Sequence, residues 1–112
     1  MGDHDDGGPG MWVDSDDQQV VVHVGGELDI DRAPMLHTAL HTAITQPDAA
    51  HNIVVELSEL SFCDSSGLNA LIQARHTAAK RGKQISLRNP QPQFLRLLEV
   101  TGSDTLFPIT YT

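Results

Sequence analysis

Asp64-Ser65-Ser66-Gly67-Leu68 sets a carboxylate, two hydroxyls and a glycine side by side. Upstream, Ile53-Val54-Val55-Glu56-Leu57 reads as a buried β-strand, and downstream Leu68, Leu71, Ile72 and Ala79 recur at helical spacing. The segment is therefore a strand-to-helix junction. Two chemistries fit it. A Ser or Asp directly before a helix is a preferred N-cap, because its oxygen accepts an orphan backbone N–H. A serine hydroxyl in the same place can instead take a phosphoryl group, which adds about −1.5 to −2 charge. A helix N-terminus favours that charge by roughly 0.3–2 kcal/mol, so the modification would leave the fold intact and act on whatever docks over it.

Other constellations are weaker. Cys63-Asp64-Ser65-Ser66-Gly67 is not the G-x-S-x-G elbow of a serine hydrolase, and the histidines at 4, 23, 37, 41, 51 and 76 lack a supporting pattern. The sequence thus points away from an enzyme. His37 and His41 stand four apart, a spacing that can chelate a metal, but no H-E-x-x-H pattern surrounds them and they read as partly exposed helix side chains flanking the apolar stripe. Cys63 reads as a small buried hydrophobe and cannot form an internal disulfide, since it is the only cysteine. Gly25-Gly26 lacks the third glycine of a dinucleotide fingerprint.

The elements that must position the junction follow from the periodicity. Met11-Trp12-Val13 and Gln19 to Val24 read as a hairpin across the turn Asp14-Ser15-Asp16-Asp17. Gly25 to Asp29 reads as strand end and loop. A helix capped by Asp31, with Pro34 in its first turn, runs to about Gln46, with Ala33, Leu36, Leu40, Ala43 and Ile44 on its apolar face. Asn52 to Leu57 is the next strand, followed by a loop through Phe62. The second helix runs to about Arg81 and stops at Gly82. Gln84 to Leu87 is a strand, and Pro92 opens a third helix with core residues Phe94, Leu95, Leu97 and Leu98 that ends at Gly102. Leu106 to Ile109 is a last short strand. The order β, β, α, β, α, β, α, β implies an α/β fold: a mixed, largely parallel sheet with an N-terminal β-hairpin and helices packed on it. Sites in such sheets gather at the carboxyl ends of the strands. If the strands ending at Val24 and Leu57 are neighbours, Asp29 and Asp64-Ser65 share one rim. Asn69, Gln73, His76 and Lys80 then extend that rim along the second helix.

One domain suits 112 residues, with residues 1–10 expected as a disordered acidic tail and 11–112 as the folded unit. A net charge of −8 argues against nucleic acid, whose binding needs clustered Lys and Arg. No apolar run approaches the roughly 18 residues that span a bilayer, and the polar N-terminus is no secretory signal. A cytoplasmic chain, monomeric when free, is the expectation.

The assembled pieces resemble a known family. Gly26-Glu27-Leu28-Asp29, Ile53 to Leu57, Phe62-Cys63-Asp64-Ser65-Ser66-Gly67-Leu68 and Phe94 to Gly102 are similar to the STAS domain, and within it to the bacterial anti-sigma factor antagonists. The resemblance covers about Met11 to Ile109. It implies that Ser65 is a phosphoacceptor for an ATP-dependent anti-sigma factor serine kinase. It implies that the unphosphorylated chain binds this kinase and frees a sigma factor, and that a serine phosphatase resets the switch. ATP and magnesium would belong to the kinase, so the chain needs no cofactor of its own. Asp29 and Glu27 would contact the kinase, and the wider partner face would comprise Asp64, Ser66, Gly67, Asn69, Gln73 and His76. Asn69 stands where many antagonists carry a small glycine. The other reading within the family is an unphosphorylated scaffold subunit of a transport or sensory complex, with Ser65 only a cap.

Overall fold

The computed structural model describes residues 10–15, 18–46 and 52–112. In chain order the elements are β1 (Met11–Ser15), β2 (Gln19–Val24), β3 (Gly26–Leu28), α1 (Ala33–Thr45), β4 (Asn52–Glu56), β5 (Leu60–Cys63), α2 (Ser65–Lys80), β6 (Gln84–Arg88), α3 (Pro92–Thr101) and β7 (Ile109–Thr110). β2 illustrates why strands form here. Four of its six residues are valine, and β-branched side chains pack well on a pleated surface. The main sheet has the order β1-β2-β4-β6-β7, with β1 antiparallel and every other pair parallel.

Register sorts the two faces of this sheet. Val20, Ile53 and Ile85 form one row, and Val22, Val55 and Leu87 the next. Both rows belong to one buried cluster with Leu36, Leu40 and Ile44 of α1, Leu68 and Leu71 of α2, and Phe94 and Leu98 of α3. The opposite face carries Val21, Val54 and Ser86 in one row and His23, Glu56 and Arg88 in the next. The Trp12 ring stacks on His23, with centroids 4.5 Å apart, and Asp14 meets the same imidazole at 3.0 Å.

The expected mixed α/β architecture is present, and β2 and β4 are neighbours. Four local expectations need correction. The loop through Phe62 contains β5, and the strand end at Gly25–Asp29 contains β3; the two pair in parallel as a separate two-stranded sheet. β5 hides in the sequence because its exposure does not alternate: Leu60 and Cys63 are buried, while Ser61 and Phe62 are exposed. The physical reason is a bulge. Gly26 pairs with Leu60 and Glu27 with Phe62, so Ser61 is an extra residue, and such insertions re-aim the side chains that follow. Asp31 does not cap α1. The cap position is Arg32, without a side-chain bond, and Asp29 Oδ1 instead accepts the backbone N–H groups of Asp31 (3.1 Å) and Arg32 (3.2 Å). The last strand is Ile109–Thr110 and not Leu106 to Ile109. The expected tail, apart from Gly10, and Asp16 and Asp17 of the expected turn lie outside the described residues. Among the described residues, no helix is long and apolar enough to cross a membrane.

Candidate functional site

The site grows out of the β3–β5 pair. Leu28 pairs with Cys63, and the next residue, Asp64, donates its N–H to the Leu28 carbonyl at 3.1 Å. The segments Leu28-Asp29 and Cys63-Asp64-Ser65 are thus brought together through backbone bonds. Asp64 ends β5 in an extended conformation (φ −101°, ψ −175°) and opens α2. Its Oδ1 accepts from the N–H of Ser66 at 2.9 Å and of Gly67 at 3.2 Å. Asp64 is therefore the N-cap, and Ser65 is not: Ser65 is the first helical residue, exposed, and its hydroxyl takes no part in the cap.

This arrangement changes what the helix terminus offers an anion. The amides that would grip a phosphate are already held by a carboxylate. Two of the terminal amides are thus engaged by Asp64, while the helix dipole that favours an added charge at this end remains.

Gly67 is buried, and its role is packing. A Cβ there would lie 2.7 Å from Leu28 side-chain atoms and 2.8 Å from Cys63 Sγ. Leu28 and Cys63 are both fully buried, so neither can give way cheaply. Gly67 lets α2 approach the β3–β5 pair closely, next to Ser65.

Three side chains brace the rim from outside, and no sequence motif announced them. Gln93, in the first turn of α3, accepts from the Cys63 N–H (2.9 Å) and donates to the Cys63 carbonyl (3.0 Å). Its amide substitutes for a neighbouring strand. Gln91 Nε2 donates to the Ser58 carbonyl at 2.8 Å. Arg32 Nη1 donates to the Gly25 and Glu27 carbonyls, both at 2.7 Å. Burial, helped by the Asp64 charge, pushes the Cys63 thiol up to about 12. The thiolate is the reactive form, so this cysteine is inert, as its reading as a buried hydrophobe requires.

Glu27 is exposed, Asp29 and Ser66 are half-buried, and Asn69, Gln73 and His76 are exposed along α2. Asp29 serves first as the hinge of the turn into α1. Its backbone carbonyl accepts from Arg32 and Ala33 while Oδ1 takes the two amides named above. His37 and His41 are exposed with ring centroids 6.1 Å apart. Among the described residues, no three His, Cys, Asp or Glu side chains group as a metal site.

A family model described as "Mlab, STAS domain" matches residues 11–109. The chain belongs to the STAS domain family. An anti-sigma F factor antagonist of Paenibacillus polymyxa is 30% identical over 90 residues, covering 80% of this chain and 76% of that protein. The crystal structure of an anti-sigma factor antagonist from Mycobacterium paratuberculosis superposes with a TM-score of 0.78 at 29% identity, covering 89% of this chain and 83% of that one. The phosphorylated form of the Bacillus cell fate determinant SpoIIAA superposes with a TM-score of 0.70, covering 88% of this chain and 89% of that one. At 24% identity that last likeness speaks for the STAS fold alone.

Proposed function

We propose that this STAS protein is an anti-sigma factor antagonist switched off by phosphorylation of Ser65. The observation that carries the reading is the division of labour at the start of α2. Asp64 caps the helix, and the neighbouring Ser65 hydroxyl stands exposed on the first turn. A residue needed only as a cap would sit where Asp64 sits. The curated relatives named anti-sigma factor antagonists support the same partner class.

In this scheme the chain is the substrate of an ATP-dependent serine kinase that is also the anti-sigma factor. Ser65 Oγ attacks the γ-phosphorus of kinase-bound ATP. The Oγ–P bond forms, the bond to the β-phosphate oxygen breaks, the hydroxyl proton passes to a base of the kinase, and ADP leaves. The unphosphorylated rim holds the kinase and so frees the sigma factor. The phosphate then adds about −1.5 to −2 charge next to Asp64, whose carboxylate already holds the Ser66 and Gly67 amides. The chain releases its partner by the bulk of the phosphate while its fold stays as it was. Glu27 and Asp29 contribute contacts on one side of Ser65, and Asn69, Gln73 and His76 on the other.

Intact-mass measurement after incubation with ATP and an anti-sigma factor kinase from the same genome tests the site. One added phosphate on the wild type and none on Ser65→Ala is the expected result. Equal phosphorylation of Ser65→Ala would remove Ser65 from the switch.

A further inference from the structure

Two large apolar side chains remain exposed beside the acceptor serine. Ile30 is 70% exposed in the turn between β3 and α1, and Phe62 is 42% exposed on β5. The bulge at Ser61 turns Phe62 outward while Cys63 points in, so the backbone is shaped to present this ring. Phe62 pairs in register with Glu27, two residues before Asp64. Ile30 follows Asp29 and precedes Asp31. Both apolar groups thus stand among carboxylates: Glu27 and Asp31, which are exposed, and Asp64. Between residues 26 and 68 the sole lysine or arginine is Arg32, whose Nη1 bonds two backbone carbonyls. Large apolar groups ringed by polar ones are the composition of an interface centre and rim.

We infer that Ile30 and Phe62 are the apolar anchors by which this chain grips its anti-sigma factor, and that the partner's matching surface is basic around two apolar sockets. The inference rests on the proposed function and deepens it. The carboxylates steer a basic partner, and the anchors hold it once seated. Charge complementarity governs association rate, whereas buried apolar anchors govern dissociation. A phosphate on Ser65 has the same sign as the steering carboxylates, so it acts against such a partner by bulk that keeps the anchors from seating.

The test is a binding titration of the full chain against the ADP-loaded anti-sigma factor kinase of the same genome, at low and moderate salt. Phe62→Ala weakens affinity about ten- to a hundredfold and Ile30→Ala about tenfold, with melting temperatures unchanged. Val100→Ala removes a comparably exposed apolar side chain from the end of α3 (Val100 is 74% exposed) and leaves affinity unchanged. Glu27→Gln with Asp31→Asn slows association several-fold at low salt and flattens its salt dependence. If the wild type binds and Ser65→Asp weakens it, but both anchor variants bind like the wild type, the anchors are overturned and the switch stands. Self-association of the wild type abolished by Phe62→Ala would assign the patch to a second copy instead. No binding by the wild type to any such kinase would overturn both readings.

Discussion

The five-stranded sheet and the β3–β5 pair bury side chains in one core but differ in what else holds them. In β2, β4 and β6, rows of Val, Ile and Leu lie in register and vanish into one core. In β3 and β5 there are seven strand residues, a bulge, and a set of side chains clasping backbone: Gln93 on Cys63, Arg32 on Gly25 and Glu27, Ser61 Oγ on the Gly26 carbonyl at 3.0 Å. The large sheet supplies stability through area removed from water. The small pair adds Leu28, Leu60 and Cys63 to the same core and fixes position through directional bonds. Separating the two lets a surface group beside β5 change its charge without loosening the core.

The first way to break this comparison is Leu87→Ala, in the buried row with Val22 and Val55. Urea unfolding should show a loss of about 2–5 kcal/mol, the cost of a core cavity. A loss below 1 kcal/mol would mean that the sheet does not carry the stability. Gly67→Ala comes next. Overpacking against Leu28 and Cys63 should cost about 1–3 kcal/mol, despite alanine's better helix propensity, and should weaken partner binding by shifting α2. A neutral result would show that the close approach can relax. Asp64→Ala removes the cap and should cost about 1 kcal/mol, whereas Ser65→Ala should stay within about 0.5 kcal/mol of wild type. Equal costs at the two positions would erase the division of labour between cap and acceptor.

The polar row of the sheet, with Glu56 on its central strand, adds a pH test. Burial alone would push the Glu56 carboxyl up, but hydrogen bonds from Arg88, Ser58 and Asn89 outweigh it and hold it near 2, below the ordinary 4.5. A carboxyl lowered on folding contributes stability above its unfolded value and loses it as pH falls through the folded one. The stability difference between wild type and Glu56→Gln should therefore shrink as pH falls from about 4.5 towards 2. A difference that stayed flat across that window would show that the Arg88 pair does not depend on the charge of Glu56.

The long-period features of this molecule were legible in the sequence because each is a local pattern. The apolar stripe Leu36, Leu40, Ile44 marks α1, and the valine runs mark β2 and β4. The junction at Asp64-Ser65 was legible too, as a strand running into a helix. What the sequence hid depends on partners far along the chain. Leu60 to Cys63 does not alternate, because the bulge breaks the period of two, so β5 looks like loop. Nothing marks Gln93 as a backbone clamp, since its partner Cys63 is 30 residues away. Between Ser65 and Asp64, the choice of cap turned on which residue kept extended dihedrals, and both residue types make good caps. Ile30 and Phe62 look like ordinary core residues until the fold leaves them outside.

The most direct test compares the affinity of the unphosphorylated and Ser65-phosphorylated chains for the same anti-sigma factor kinase, with the melting temperature of each. Phosphorylation should weaken binding about a hundredfold, or roughly 2.7 kcal/mol, and leave the melting temperature where it was. Equal affinities, or a phosphorylated chain that melts well below the unmodified one, would contradict a switch that acts on the partner and spares the fold.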